Sequence, residues 1–114
     1  MKEDILKIIN HYGLNHQLKY FQSEVFELNE AIIDYRYVEV YKNSPSEKYH
    51  RKHISEEIAD VMMMLKQFQY YYEISDEEIE DVMKYKVQRQ LERIENEEVN
   101  EDVRAMGEEK KNRR

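Results

Sequence analysis

Two glycines and a single proline in 114 residues leave this chain almost without the residues that build tight turns, and that scarcity constrains its fold more than any other feature. An all-β domain needs turn material about every 8 to 12 residues. Long helices joined by few connections are what remains.

The apolar residues recur with helical spacing wherever the breakers are absent. A first helix spans roughly Lys2 to His11, with Ile5, Leu6, Ile8 and Ile9 on its apolar side, and Gly13 ends it because glycine tolerates the backbone angles that follow a helix. A second helix is expected from an N-cap near Asn15 to about Tyr41, with a main stripe of Leu18, Phe21, Val25, Leu28, Ile32 and Tyr35 at alternating spacings of three and four. The segment 43–46, with Pro45 at its centre, breaks this pattern, since proline cannot continue a helix already under way. The break is expected to reach into residues 48–52. A third helix starts between Ser46 and Ser55 and ends near Glu73, carrying Ile54, Ile58, Val61, Leu65, Phe68 and Tyr72, while the run Met62-Met63-Met64 makes it apolar on several sides. Ser75-Asp-Glu-Glu78 is a capping box that opens a fourth helix, whose inner side is Ile79, Val82, Met83, Val87, Leu91 and Ile94. The apolar rhythm stops after Asn96. The expected organisation is an all-α, four-helix bundle-like domain over residues 1–96, followed by a charged tail at 97–114, frayed or disordered, with oligomerisation completing a core that one small chain cannot close alone.

Composition excludes several functions. The chain has no cysteine, which removes disulfides, thiolate zinc sites and cysteine nucleophiles together. His50-x-x-His53 has no second cluster to complete a zinc site. A formal net charge of -7 argues against a nucleic-acid polymer as partner, because phosphate backbones are held by clustered lysine and arginine. Neither a long apolar run nor a cleavable signal pattern is visible, so a cytoplasmic protein without a membrane partner is expected.

Against this background two acidic pairs stand out. Glu24-x-x-Glu27 lies in the second helix and Glu57-x-x-Asp60 in the third. Each pair falls on a stripe beside the main apolar one: Tyr20, Glu24, Glu27 and Ala31 on one helix, and His53, Glu57, Asp60, Met64, Gln67 and Tyr71 on the other. If these helices pair antiparallel, the four carboxylates face one another and enclose one or two hard cations. Oxygen-only ligation selects magnesium, with manganese as a substitute, over zinc. An isolated Glu-x-x-Glu is ordinary on solvated helices, but Asp60 within Ile58-Ala59-Asp60-Val61-Met62 has no such explanation, since aspartate is a poor helix former.

Ser23-Glu-Val-Phe-Glu-Leu28 followed by Ser55-Glu-Glu-Ile-Ala-Asp-Val61 resembles the two halves of the MazG-like all-α nucleoside triphosphate pyrophosphohydrolases, over about Gln17 to Arg93. The resemblance implies a MazG-type fold, a homodimer or homotetramer, and metal ligation by Glu24, Glu27, Glu57 and Asp60. It further implies a magnesium-dependent hydrolase that converts an NTP or dNTP to the monophosphate plus pyrophosphate. Basic residues of the fourth helix then face the phosphates, among which Lys86 and Arg89 are assigned to the leaving pyrophosphate. Many members carry glutamate immediately before the first ligand, where this chain has Ser23; Glu56, beside Glu57, is the candidate to take over a supporting catalytic role. Two alternatives remain open: a phosphoribosyl-ATP pyrophosphohydrolase, and a helical metal- or nucleotide-binding regulatory protein that has lost turnover.

Overall fold

The computed structural model describes residues 1–37 and 45–112. The described residues are helical without strands: α1 (Lys2–Tyr12), α2 (Leu14–Arg36), α3 (Pro45–Tyr71) and α4 (Asp76–Asn112). They fall into two compact units, Met1–Ile74 and Ser75–Arg114.

In the first unit, α1 ends where expected. The Gly13 amide donates to the Ile9 carbonyl at 2.7 Å, and its φ of 90° and ψ of 154° lie in a region that is essentially glycine-only. Helix α2 restarts at once from Leu14, so Gly13 rather than Asn15 stands at its N-cap. Of the expected stretch to Tyr41, residues 38–41 lie outside the described residues, as do Asn43 and Ser44. The start of α3 corrects the sequence expectation: Pro45 is its first residue, and 48–52 are already helical. Proline suits that position because its missing amide hydrogen would have had no partner there, and its fixed φ is already helical.

Helix α3 ends in a closed cap. Glu73 has φ of 57°, its amide donates to Tyr70 O at 3.1 Å, and the Ile74 amide reaches back to Gln69 O at 3.0 Å. This paired return is a Schellman motif. The Gln69 side-chain amide adds a bond to Ile74 O at 3.0 Å, which reinforces the cap.

Helices α2 and α3 run antiparallel, as the contacts between them show. Gln17 meets Gln67, Phe21 meets Phe68 edge-on at 5.5 Å, and Tyr35 donates to Glu47 at 3.1 Å. The buried set is small: Ile5 and Ile9 from α1, Ala31 from α2, Met64 and Tyr70 from α3, with the polar residues Gln17, Glu24, Glu47, Gln67 and Gln69 among them. Gln17 Nε2 donates to Gln67 Oε1 at 2.8 Å, and Gln67 Nε2 approaches Met64 Sδ at 3.4 Å. His16 Nδ1 in turn donates to Gln17 Oε1 at 2.7 Å. The buried amides are thereby paired, which removes most of the cost of taking them out of water.

Burial is divided between the two stripes of each helix rather than confined to the expected one. Leu18 is 45% exposed, Val25 42%, Ile32 41%, Ile58 42% and Leu65 51%, although these residues belong to the stripes expected to form the core. The fully buried Glu24, Ala31, Met64 and Gln67 belong to the neighbouring stripes, while Phe21, Leu28, Tyr35, Ile54, Val61 and Phe68 of the expected stripes are half-buried. A helical hairpin buries only the residues along its line of contact, and α1, at 11 residues, is too short to cover the remaining flank.

The second unit is built on α4, which opens as expected: Ser75 Oγ accepts a hydrogen bond from the Glu78 amide at 3.1 Å. It continues past residue 97, where the apolar rhythm stops, as one helix to Asn112. Val82, Met83, Val87, Leu91 and Ile94, expected as an inner side, are all exposed. A single helix cannot bury its own stripe.

The two positive-φ positions predict opposite outcomes. Gly13→Ala is expected to lower unfolding free energy by about 1 to 3 kcal/mol, even though nothing lies within 4 Å of the added methyl. Glu73→Gly removes a left-handed Cβ and is expected to raise stability by up to about 1 kcal/mol. Denaturant unfolding of the two variants beside the parent chain measures both.

Candidate metal centre

Three of the four acids in the sequence pattern come together where α2 crosses α3. One carboxylate oxygen from each of Glu24, Glu57 and Asp60 lies within 4.8 Å of the others. Glu24 supplies the α2 side and is only 5% exposed, whereas Glu57 and Asp60 on α3 are half-buried. Their spacing of three keeps them on one face, so the α3 pair straddles the point that Glu24 approaches. Glu27 is exposed and is not part of this convergence. A step of three residues turns a helix about 60° away from a full revolution, which is enough to move Glu27 off the line of contact.

Two oxygens of this cluster lack partners. Glu24 Oε2 and Glu57 Oε2 are both buried without a hydrogen bond. A buried carboxylate oxygen with nothing to accept is costly, and two of them in one cluster are what a cation would satisfy. The donor set is oxygen throughout, which fits a hard divalent ion such as magnesium or manganese. The residues present therefore fit the metal that the sequence pattern implies.

The other sides of these acids are tied down. On α3, His53 Nε2 donates to Glu57 Oε1 at 3.3 Å. On α2, the Tyr20 hydroxyl donates to Glu24. The Tyr20 phenol is pushed above its ordinary value, first by that hydrogen bond, then by the charge of Glu24, then by burial, and last by the charges of Glu27 and Asp60. Negative charge close to a phenol opposes the formation of a second anion. Sequence reasoning placed Tyr20 and His53 on the acidic stripes without giving them a role. The signal was there in the spacing, since each precedes its acid by four residues and therefore lies one turn away on the same face.

The remaining sequence candidates lie elsewhere. Glu56 and Ser23 are exposed beside the cluster residues, and Lys86 and Arg89 are exposed on α4 in the second unit. Lys84, on the same helix, pairs with Glu80 at 3.3 Å. His50 and His53 do not act as a pair: His50 packs edge-on against Tyr49 at 5.3 Å, while His53 bonds Glu57.

Comparison of the chain with protein-family models, curated proteins and solved structures finds no match. Among the described residues, no helix is long and apolar enough to cross a membrane.

The Tyr20 environment generates a prediction for the metal-free protein. Because the folded-state value is raised, the Tyr20–Glu24 interaction contributes stability throughout the range below the ordinary tyrosine value of 10.0 and loses it as the pH rises through the raised value. Tyrosinate absorbance of the parent chain minus that of Tyr20→Phe, titrated in chelator, should show one phenol ionising above 10.0. A difference curve centred at or below that value contradicts the assignment.

Proposed function

We propose that this chain is a magnesium-dependent nucleoside triphosphate pyrophosphohydrolase of the MazG-like type, which converts an NTP or dNTP to the monophosphate plus pyrophosphate and clears noncanonical or surplus nucleotides. The observation that carries the reading is the convergence of Glu24, Glu57 and Asp60 with two buried oxygens that have no partner. The sequence around those acids supports it, since the acidic pairs stand in the EVFEL and EEIADV contexts that resemble this family.

In this reading Glu24, Glu57 and Asp60 hold the cation, with Glu27 one turn from Glu24 for a second ion or a bound water. The bound cation would neutralise phosphate charge and lower the pKa of the attacking water. The chain supplies the rest of the chemistry. A carboxylate near the attacking water accepts its proton, and Glu56, exposed and next to Glu57 in sequence, keeps a supporting role. Lys86 and Arg89 keep the part that the resemblance gives them, as positive charge for the leaving pyrophosphate. The half-exposed aliphatic stripes of α2 and α3 and the exposed stripe of α4 support a homodimer or homotetramer, and the cytoplasmic setting expected from the sequence is part of the same reading.

One observation favours a second reading. Ser23 stands where many of the similar enzymes have glutamate, and a hydroxyl cannot act as a carboxylate base at neutral pH. A protein that binds metal and nucleotide without turning it over is the alternative that this residue supports.

Incubation with magnesium and a panel of NTPs and dNTPs separates the readings. Monophosphate and pyrophosphate are the expected products, and Asp60→Asn is expected to abolish their formation while leaving the helical content intact. Release of single phosphate would reject the reaction class. Metal and nucleotide binding without any hydrolysis selects the regulatory protein.

A further inference from the structure

The two buried glutamates of the cluster are held in the same way from opposite helices. On α2, Tyr20 lies four residues before Glu24, on the same face, with its hydroxyl within hydrogen-bonding reach of that carboxylate, whose Oε2 is buried and unpartnered. On α3, His53 lies four residues before Glu57 and donates Nε2 to Oε1 at 3.3 Å, and again Oε2 is buried and unpartnered. Each acid therefore has one oxygen engaged by a ring-borne donor a turn away and one left over. A spacing of four on a helix brings such side chains together, and a ring confines the donor to far fewer positions than a lysine chain would. Neither donor is needed for burial: Tyr20 is 48% exposed and the His53 side chain 37%.

We propose that Tyr20 and His53 are a matched pair of positioning residues, each holding one oxygen of Glu24 or Glu57 so that the other, buried oxygen is presented to a divalent cation. The inference rests on the metal reading of the cluster made above. Partners that hydrogen-bond ligating carboxylates fix their orientation before the ion arrives, and this preorganisation appears as metal affinity.

The site makes a distinction that a purely structural role would not. Donors that merely quiet two acids in the metal-free protein compete with the ion for the carboxylates, and their removal would tighten metal binding. Donors that orient the acids cooperate with it, and their removal weakens binding.

Manganese affinity, measured on the full chain by the loss of free-ion signal in electron paramagnetic resonance, tests this without reference to activity. The parent chain is expected to bind Mn2+, and Tyr20→Phe and His53→Leu are each expected to bind it about 10- to 100-fold more weakly. His53→Gln, whose side-chain amide can donate from nearly the position of Nε2, is expected to recover most of that loss. Circular dichroism of the three variants establishes that each is folded, and Tyr20→Phe removes only one hydroxyl, from a residue that is 48% exposed. Unchanged or tighter Mn2+ binding in folded Tyr20→Phe and His53→Leu overturns the positioning role and leaves the metal site standing. Failure of the parent chain to bind Mn2+ overturns the metal site itself, and the pair with it.

Discussion

The line along which α2 meets α3 is where this small protein spends its burial, and it is an unusually polar line. Gln17, Glu24 and Ala31 from one helix face Gln67, Met64 and the Glu57–Asp60 pair from the other. Apolar contact alone could not favour this face over the aliphatic stripes beside it, so specific polar pairing must contribute to the choice. Gln17 donates to Gln67 at 2.8 Å, and Gln67 in turn reaches Met64 Sδ, which makes their burial tolerable. The acids are only half satisfied, through Tyr20 and His53. That asymmetry distinguishes the two ends of the contact: amides with partners at one, carboxylates with unpartnered oxygens at the other.

Much of the local structure was legible in the sequence because its causes are local. Gly13 ends α1 and Ser75 caps α4 through backbone angles and a hydroxyl that act within one turn. Pro45 was harder to interpret, since the same missing amide that stops one helix can begin the next. The closed cap at Glu73 gives no sequence signal, because glutamate occupies a left-handed position that usually selects glycine or asparagine.

The stripes illustrate what a single sequence cannot rank. Each of α2 and α3 carries two adjacent faces, and hydrophobicity favours Leu18, Val25 and Ile32 over Tyr20, Glu24 and Ala31. Which face meets the partner helix depends on what covers the other, and that information does not lie in the periodicity. The acid spacing nevertheless pointed to Glu24, Glu57 and Asp60, because the two acidic pairs stand out whichever apolar stripe is taken as the core. Glu27 shares the spacing but turns off the contact line, a difference of part of a turn that spacing alone does not resolve.

The buried amide pair has a consequence for the acids it never touches. Gln17 lies two helical turns before Glu24 and Gln67 two turns after Asp60, so on both helices the clasp sits roughly 10 Å from the carboxylates. A slide of one helix along the other by a single turn, about 5.4 Å, would break the amide bond and carry Glu24 away from its counterparts together. The glutamines thus work as a vernier for the hairpin, admitting only the alignment in which the acids meet. Drift at an uncharged, fully buried position can therefore pull the acidic cluster apart two turns away while leaving every carboxylate in the chain in place.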